Sequence, residues 1–176
     1  MKKSHKKVLI ISIVLLVLAA LIALACNTTK TKDDIAQILR KDLELTEEEF
    51  EKLSYVGEFL DDDDSLLWFT IQNGISNMNR YIAVECLVVT DGRYLVKSVS
   101  EAGTWGPDIA HAFLGRKGIC LIYNPSCRSC VFTTMGGTVV SKTELSPDDL
   151  PCVFECEFPA NAIHLTFLDA EGNELR

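Results

Sequence analysis

Residues 80–99 read RYIAVECLVVTDGRYLVKSV: two runs rich in Val, Ile, Leu and Tyr on either side of Asp91-Gly92. β-Branched and aromatic side chains suit the pleated, half-buried surface of a sheet. An Asp-Gly pair supplies the backbone freedom that a tight hairpin turn requires. The pattern therefore predicts strands over 80–90 and 93–99, joined as an antiparallel hairpin. Further runs of this kind lie over 66–72, 118–124, 129–134, 138–142, 152–158 and 162–168. Turn residues separate several of them: Asn124-Pro125-Ser126, Met135-Gly136-Gly137 and Glu171-Gly172-Asn173. Strands joined by short turns argue for antiparallel pairing, as a sandwich or a meander, and nothing follows the regular β-α-β alternation of a parallel sheet. Residues 108–114 read as one or two helical turns between strands.

Upstream the period changes. Ile35, Ile38, Leu39 and Leu43 recur at helical spacing, with Asp33 and Asp34 where acids favour a helix N-terminus. Thr46-Glu47-Glu48-Glu49 is a capping box, in which the Thr46 side chain accepts from the Glu49 amide and Glu49 reaches back. A second helix is expected to follow, with Phe50, Leu53, Val56 and Leu60 near one face. The fold class on this reading is α+β. Residues 1–26 form a membrane segment, 27–64 an acidic linker and helical segment, and 65–176 an antiparallel β domain.

The first 26 residues, MKKSHKKVLIISIVLLVLAALIALAC, locate the chain. Four lysines precede an uncharged apolar run from Val8 to Ala25. At about 1.5 Å per residue that run reaches roughly 27 Å, close to the hydrocarbon thickness of a bilayer. The lysines favour the cytoplasmic side, so the rest of the chain is expected outside, in a cell envelope. Three readings of the segment stay open. It fits an uncleaved signal anchor. Ala23-Leu24-Ala25-Cys26 resembles the lipobox of lipoproteins, which implies lipidation of Cys26, but Ala23 and Leu24 are swapped relative to the usual order. Ala23-x-Ala25 also fits simple cleavage. In the first two readings residues 8–25, or a lipid on Cys26, tether the protein to the bilayer.

Charge narrows the partners. All 25 acidic residues lie after position 32, and only 13 of the 17 basic residues follow the apolar run. Nucleic acid is excluded as a partner on this balance, because phosphate recognition rests on Lys and Arg clusters that are missing here. An envelope protein is the expected partner class.

Six cysteines follow Cys26: Cys86, Cys120, Cys127, Cys130, Cys152 and Cys156. Cys127-Arg128-Ser129-Cys130 is a C-x-x-C, the candidate disulfide or redox pair. A redox C-x-x-C normally opens a helix, whose dipole lowers the first thiol's pKa; this one leads into a strand-like run. Two pairs 21 residues apart also have a spacing seen in four-cysteine zinc sites. However, Cys152 and Cys156 in one regular strand would stand about 13 Å apart, too far to share an ion or a disulfide. An exterior location encourages disulfides, either Cys127–Cys130 across the turn or cross-strand pairs. On strand alternation the cysteines fall on apolar faces, with Ile82 and Val84, Ile122, Phe132 or Phe154, as small core residues do.

Other motifs are weaker. Asp61-Asp62-Asp63-Asp64 has Leu66 and Gln72 where a calcium loop needs Gly and Glu, so it reads as a solvated connection. His111, three residues after Asp108, reads as a packed helical residue oriented by that acid, with no nucleophile in its vicinity. No catalytic residue, metal ligand or cofactor is assigned. The function expected is a membrane-tethered, extracytoplasmic binding module. The alternatives are a thiol–disulfide protein using Cys127 and Cys130, and a zinc-stabilised domain.

Overall fold

The computed structural model describes residues 28–72, 79–106, 108–157 and 159–175. The expected membrane helix over 8–25 and the candidate lipidation residue Cys26 lie outside these. Among the described residues no helix is long and apolar enough to cross a membrane.

Two short helices come first, α1 (Lys32–Asp42) and α2 (Glu47–Glu51). Each opens with a reciprocal cap: Thr31 with Asp34, and Thr46 with Glu49 as the sequence predicts. The caps satisfy amides that would otherwise lack partners at each helix start. Ile35 and Leu39 of α1 are fully buried.

The expected continuation of α2 through Leu60 does not form. After one turn the chain enters β1 (Leu53–Asp61), which pairs antiparallel with β2 (Asp64–Ile71). Tyr55, Val56 and Phe59 are better strand than helix formers, and Gly57 is unfavourable in a helix by roughly 1 kcal/mol. The strand buries Val56 and Phe59 against the β core and leaves Leu60 exposed. Gly57 also has a packing role, since a Cβ there would meet Val153 at 3.1 Å. Residues 61–64 are thus a hairpin turn rather than a helix-to-strand connection, with Asp61 opposite Asp64 and Asp62 at φ 53°.

The hairpin over 80–99 forms as predicted, from β3 (Arg80–Thr90) and β4 (Arg93–Glu101) with Gly92 at φ 68°. Beyond it lie β5 (Gly103–Gly106), β6 (Ile109–Leu114), β7 (Lys117–Ile122), β8 (Ser129–Thr133), β9 (Val139–Glu144), β10 (Cys152–Glu155) and β11 (His164–Leu168). The helical turns expected over 108–114 are instead β6. The strand expected over 152–158 ends at Glu155.

The described strands make three antiparallel sheets, ordered β1-β2-β3-β4, β10-β7-β6-β5 and β11-β8-β9. They stack in layers. Helix α1 covers one face of the first sheet through Ile35 and Leu39 against Leu67, Phe69, Ile82 and Val84. The other face of that sheet, with Leu66, Trp68 and Ala83, packs on Ala110, Ile119 and Leu121 of the second. The second sheet then turns Ile109, Cys120 and Ile122 towards Cys130, Phe132 and Phe167 of the third. Strands buried on both faces read as continuous apolar runs rather than alternating ones, as in Leu66–Phe69 and Ile119–Ile122.

The chain is secured where it enters the fold. Lys30 and Tyr94 exchange backbone hydrogen bonds of 2.7 and 2.9 Å. Lys32 lies 3.9 Å from the centre of the Tyr55 ring and 2.8 Å from Glu58, whose carboxylate also accepts from Tyr55 and Tyr94. Burial pushes the Glu58 carboxyl up, but these three donors outweigh it and hold it below its usual value.

Candidate functional site

The third sheet covers only part of the second sheet's outer face. On β6, Ile109 is buried beneath it, whereas His111 and Phe113, further along the same face, are not. There the surface opens into a cleft of about 440 Å³, lined among others by Trp105, His111, Phe113, Lys117, Cys156 and Glu157. Strands β5 and β6 supply the aromatic wall, Lys117 opens β7, and the residues just after β10 form the opposite wall.

Trp105 stacks on His111, with centroids 4.4 Å apart and planes 16° from parallel, and its ring also lies 5.9 Å from that of Phe167. The stack needs Gly103, opposite His111 in the register, because a Cβ there would run into the imidazole. The Nδ1 atom of His111 is buried without a hydrogen-bond partner, and burial lowers the ring's pKa, which favours neutral imidazole. Phe113 is 66 % exposed at the mouth. Lys117 is held by Asp61 at 2.7 Å and Glu155 at 3.4 Å, so the cationic side of the cleft is fixed in place.

Asp108 does not orient His111 from a helix N-terminus. It sits at φ 57°, and its carboxylate accepts from the Tyr81 hydroxyl at 2.7 Å and the Asn79 amide at 2.6 Å. Its carbonyl accepts the amides of Tyr123 and Asn124. It is a staple between the first and second sheets.

Cys127 and Cys130 are fully buried in the core between the second and third sheets, together with Cys120 and Cys156, and the half-buried Cys152 packs against them. Cys130 lies on β8 and Cys127 in the turn before it, so no helix dipole reaches either. Burial pushes the Cys127 thiol up to about 11 and also raises Cys130. The Cys127 thiol donates to the Ser129 carbonyl at 3.8 Å, and Cys130 stands opposite Thr143 in the register. Cys86 lies apart, in the core beneath α1. Among the described residues no group of three or more His, Cys, Asp and Glu side chains is arranged to hold a metal ion.

Sequence reading singled out His111 but not its partners Trp105 and Phe113. The available signal was Gly103-Thr104-Trp105-Gly106, a tryptophan between glycines next to the histidine. Comparison with protein-family models, with curated proteins and with solved structures gave no match for this chain.

Proposed function

We propose that this chain is a non-catalytic binding module, tethered to a cell membrane with its β layers outside, which engages a neighbouring envelope protein through the Trp105–His111–Phe113 cleft. The single observation carrying this reading is the exposed Phe113 beside a rigid aromatic stack at the mouth of a concave site. Aromatic side chains in and around pockets dominate binding energy at protein interfaces, and fixed charges at the rim set orientation. Lys117 and Glu155 supply such charges here. The tether rests on the lysines and apolar run of residues 2–25.

Catalysis finds little support at the cleft. His111 has a buried, unpartnered Nδ1, and among the described residues no nucleophile is hydrogen-bonded to that atom. A thiol–disulfide role for Cys127 and Cys130 would need an accessible, low-pKa thiol, whereas both are buried and raised. A zinc-stabilised domain would need four converging ligands, and among the described residues no group of three or more candidate ligands converges.

The test is affinity capture from native membranes with full-length chain, wild type beside Phe113→Asp. The expected result is a stoichiometric envelope protein held by the wild type and lost with the variant. A wild-type chain that captures none, or a partner held equally by both, overturns the reading.

A further inference from the structure

We propose that Cys120 and Cys156 are joined by a disulfide that cross-links β7 to the segment following β10. In the structure both are free thiols in the buried core, with their sulfurs 2.7 Å apart, longer than the roughly 2.05 Å of an S–S bond. Non-bonded carbon atoms, which are smaller than sulfur, come to rest at roughly 3.5–4.0 Å, so this pair is closer than two separate thiols pack. The backbone brings them there. Phe154 stands opposite Cys120 in the register, and pairing runs on past the end of β10 as the Cys156 amide donates to the Gly118 carbonyl at 2.7 Å. Cys156 is thereby delivered beside β7, diagonal to Cys120. Of the other cysteines at this core, the Cys127 thiol donates to the Ser129 carbonyl and Cys152 is only half-buried. Cys120 and Cys156 have each other.

The chemistry is thiol–disulfide exchange with a disulfide-bearing oxidant of the extracytoplasmic compartment. One cysteine thiolate attacks the oxidant's disulfide, forming a mixed disulfide and releasing one thiolate of the oxidant. The second cysteine thiolate then attacks the sulfur of the first and releases the other. Two electrons and, counted from the thiols, two protons pass to the oxidant, which leaves as a dithiol. Both cysteines end buried, so the exchange belongs to folding, before β10 docks. The bond closes a loop between positions 36 apart and fixes Cys156, a wall residue of the cleft, whatever the cleft binds.

The test is peptide mapping of full-length protein taken from its native membrane without reductant, alkylated in denaturant and cut with chymotrypsin. Cleavage after Tyr123 separates Cys120 from Cys127, and cleavage after Phe154 separates Cys152 from Cys156. The expected result is a peptide pair joining Cys120 to Cys156 that disappears on reduction. Recovery of both residues as alkylated thiols, or of either bonded to another cysteine, overturns the proposal. Cys120→Ala provides a second measurement: in that variant Cys156 becomes alkylated in full, and a Cys156 that stays blocked counts against the pairing. The wild-type map decides the matter even where the variant does not fold.

Discussion

Leu121 and Ile122 are adjacent on β7 and fully buried, yet they face different cores, Leu121 towards the first sheet and Ile122 towards the third. In a sandwich with one solvated face per sheet, one of two neighbours on a strand would point to water, and truncating it would change stability by under about 0.5 kcal/mol. In the layered arrangement neither is free. Leu→Ala and Ile→Ala each remove three carbons, roughly 2.4 kcal/mol of transfer free energy at about 0.8 kcal/mol each. The residual cavity adds to this, which brings each substitution to about 3 kcal/mol, within the 2–5 kcal/mol range for such sites. Urea unfolding of the full chain in detergent measures it. At a slope of about 2 kcal/mol per molar, each midpoint should fall by about 1.5 M. Leu60→Ala, at a side chain that is 56 % exposed, should move it by less than about 0.25 M. If either Leu121→Ala or Ile122→Ala behaves like Leu60→Ala, the second sheet is not covered on both faces and the layered description fails.

The Trp105–His111 stack gives an optical test: protonation of His111 should quench Trp105, with a midpoint below the ordinary histidine value of about 6.5 because burial disfavours the charged ring. The wild-type minus His111→Gln fluorescence difference isolates the transition, and a midpoint at or above 6.5 contradicts the burial argument. Glu58 has a folded pKa below its unfolded one, so its contribution to stability is full above the unfolded value and is lost as pH falls through the folded value. Glu58→Gln should therefore flatten the acid limb of a stability-against-pH curve below the ordinary glutamate value of about 4.3, and parallel curves for variant and wild type would remove the Lys32–Glu58–Tyr94 network from the account. A Cys127 thiol near 11 leaves roughly one thiolate in a thousand at pH 8, and burial slows access further. Native protein should accordingly react with a thiol reagent at Cys127 at least a hundredfold more slowly than urea-unfolded protein; rapid native reaction would restore the redox reading.

What the sequence made legible follows the reach of each signal. Local chemistry was readable: Thr46 and Glu49 announce their cap within four residues, and Asp91-Gly92 announces its turn between two alternating runs. The fate of residues 53–61 was not, because Leu53, Val56 and Leu60 satisfy a helical period while Tyr55, Val56 and Phe59 equally satisfy a strand. The choice was made by the next strand, β2, which folds back across the turn and offers β1 a ladder of hydrogen bonds. Residues 108–114 misled for a related reason: Ala110 and Ala112 favour a helix, and pairing with β7 overrides that local preference. The cleft was the least legible feature. Trp105, Phe113 and Glu157 belong to separate parts of the chain and meet only because the third sheet stops short of covering the second.

The backbone exchange between Lys30 and Tyr94 sets the length of a leash. Lys30 is only five positions beyond Ala25, where the apolar run ends, and an extended chain spans at most about 3.6 Å per residue, roughly 18 Å in all. Under the proposed tether, the fold begins within that distance of the bilayer and its first sheet takes its bearing from the anchor. A partner for the cleft is then to be sought close to the membrane surface.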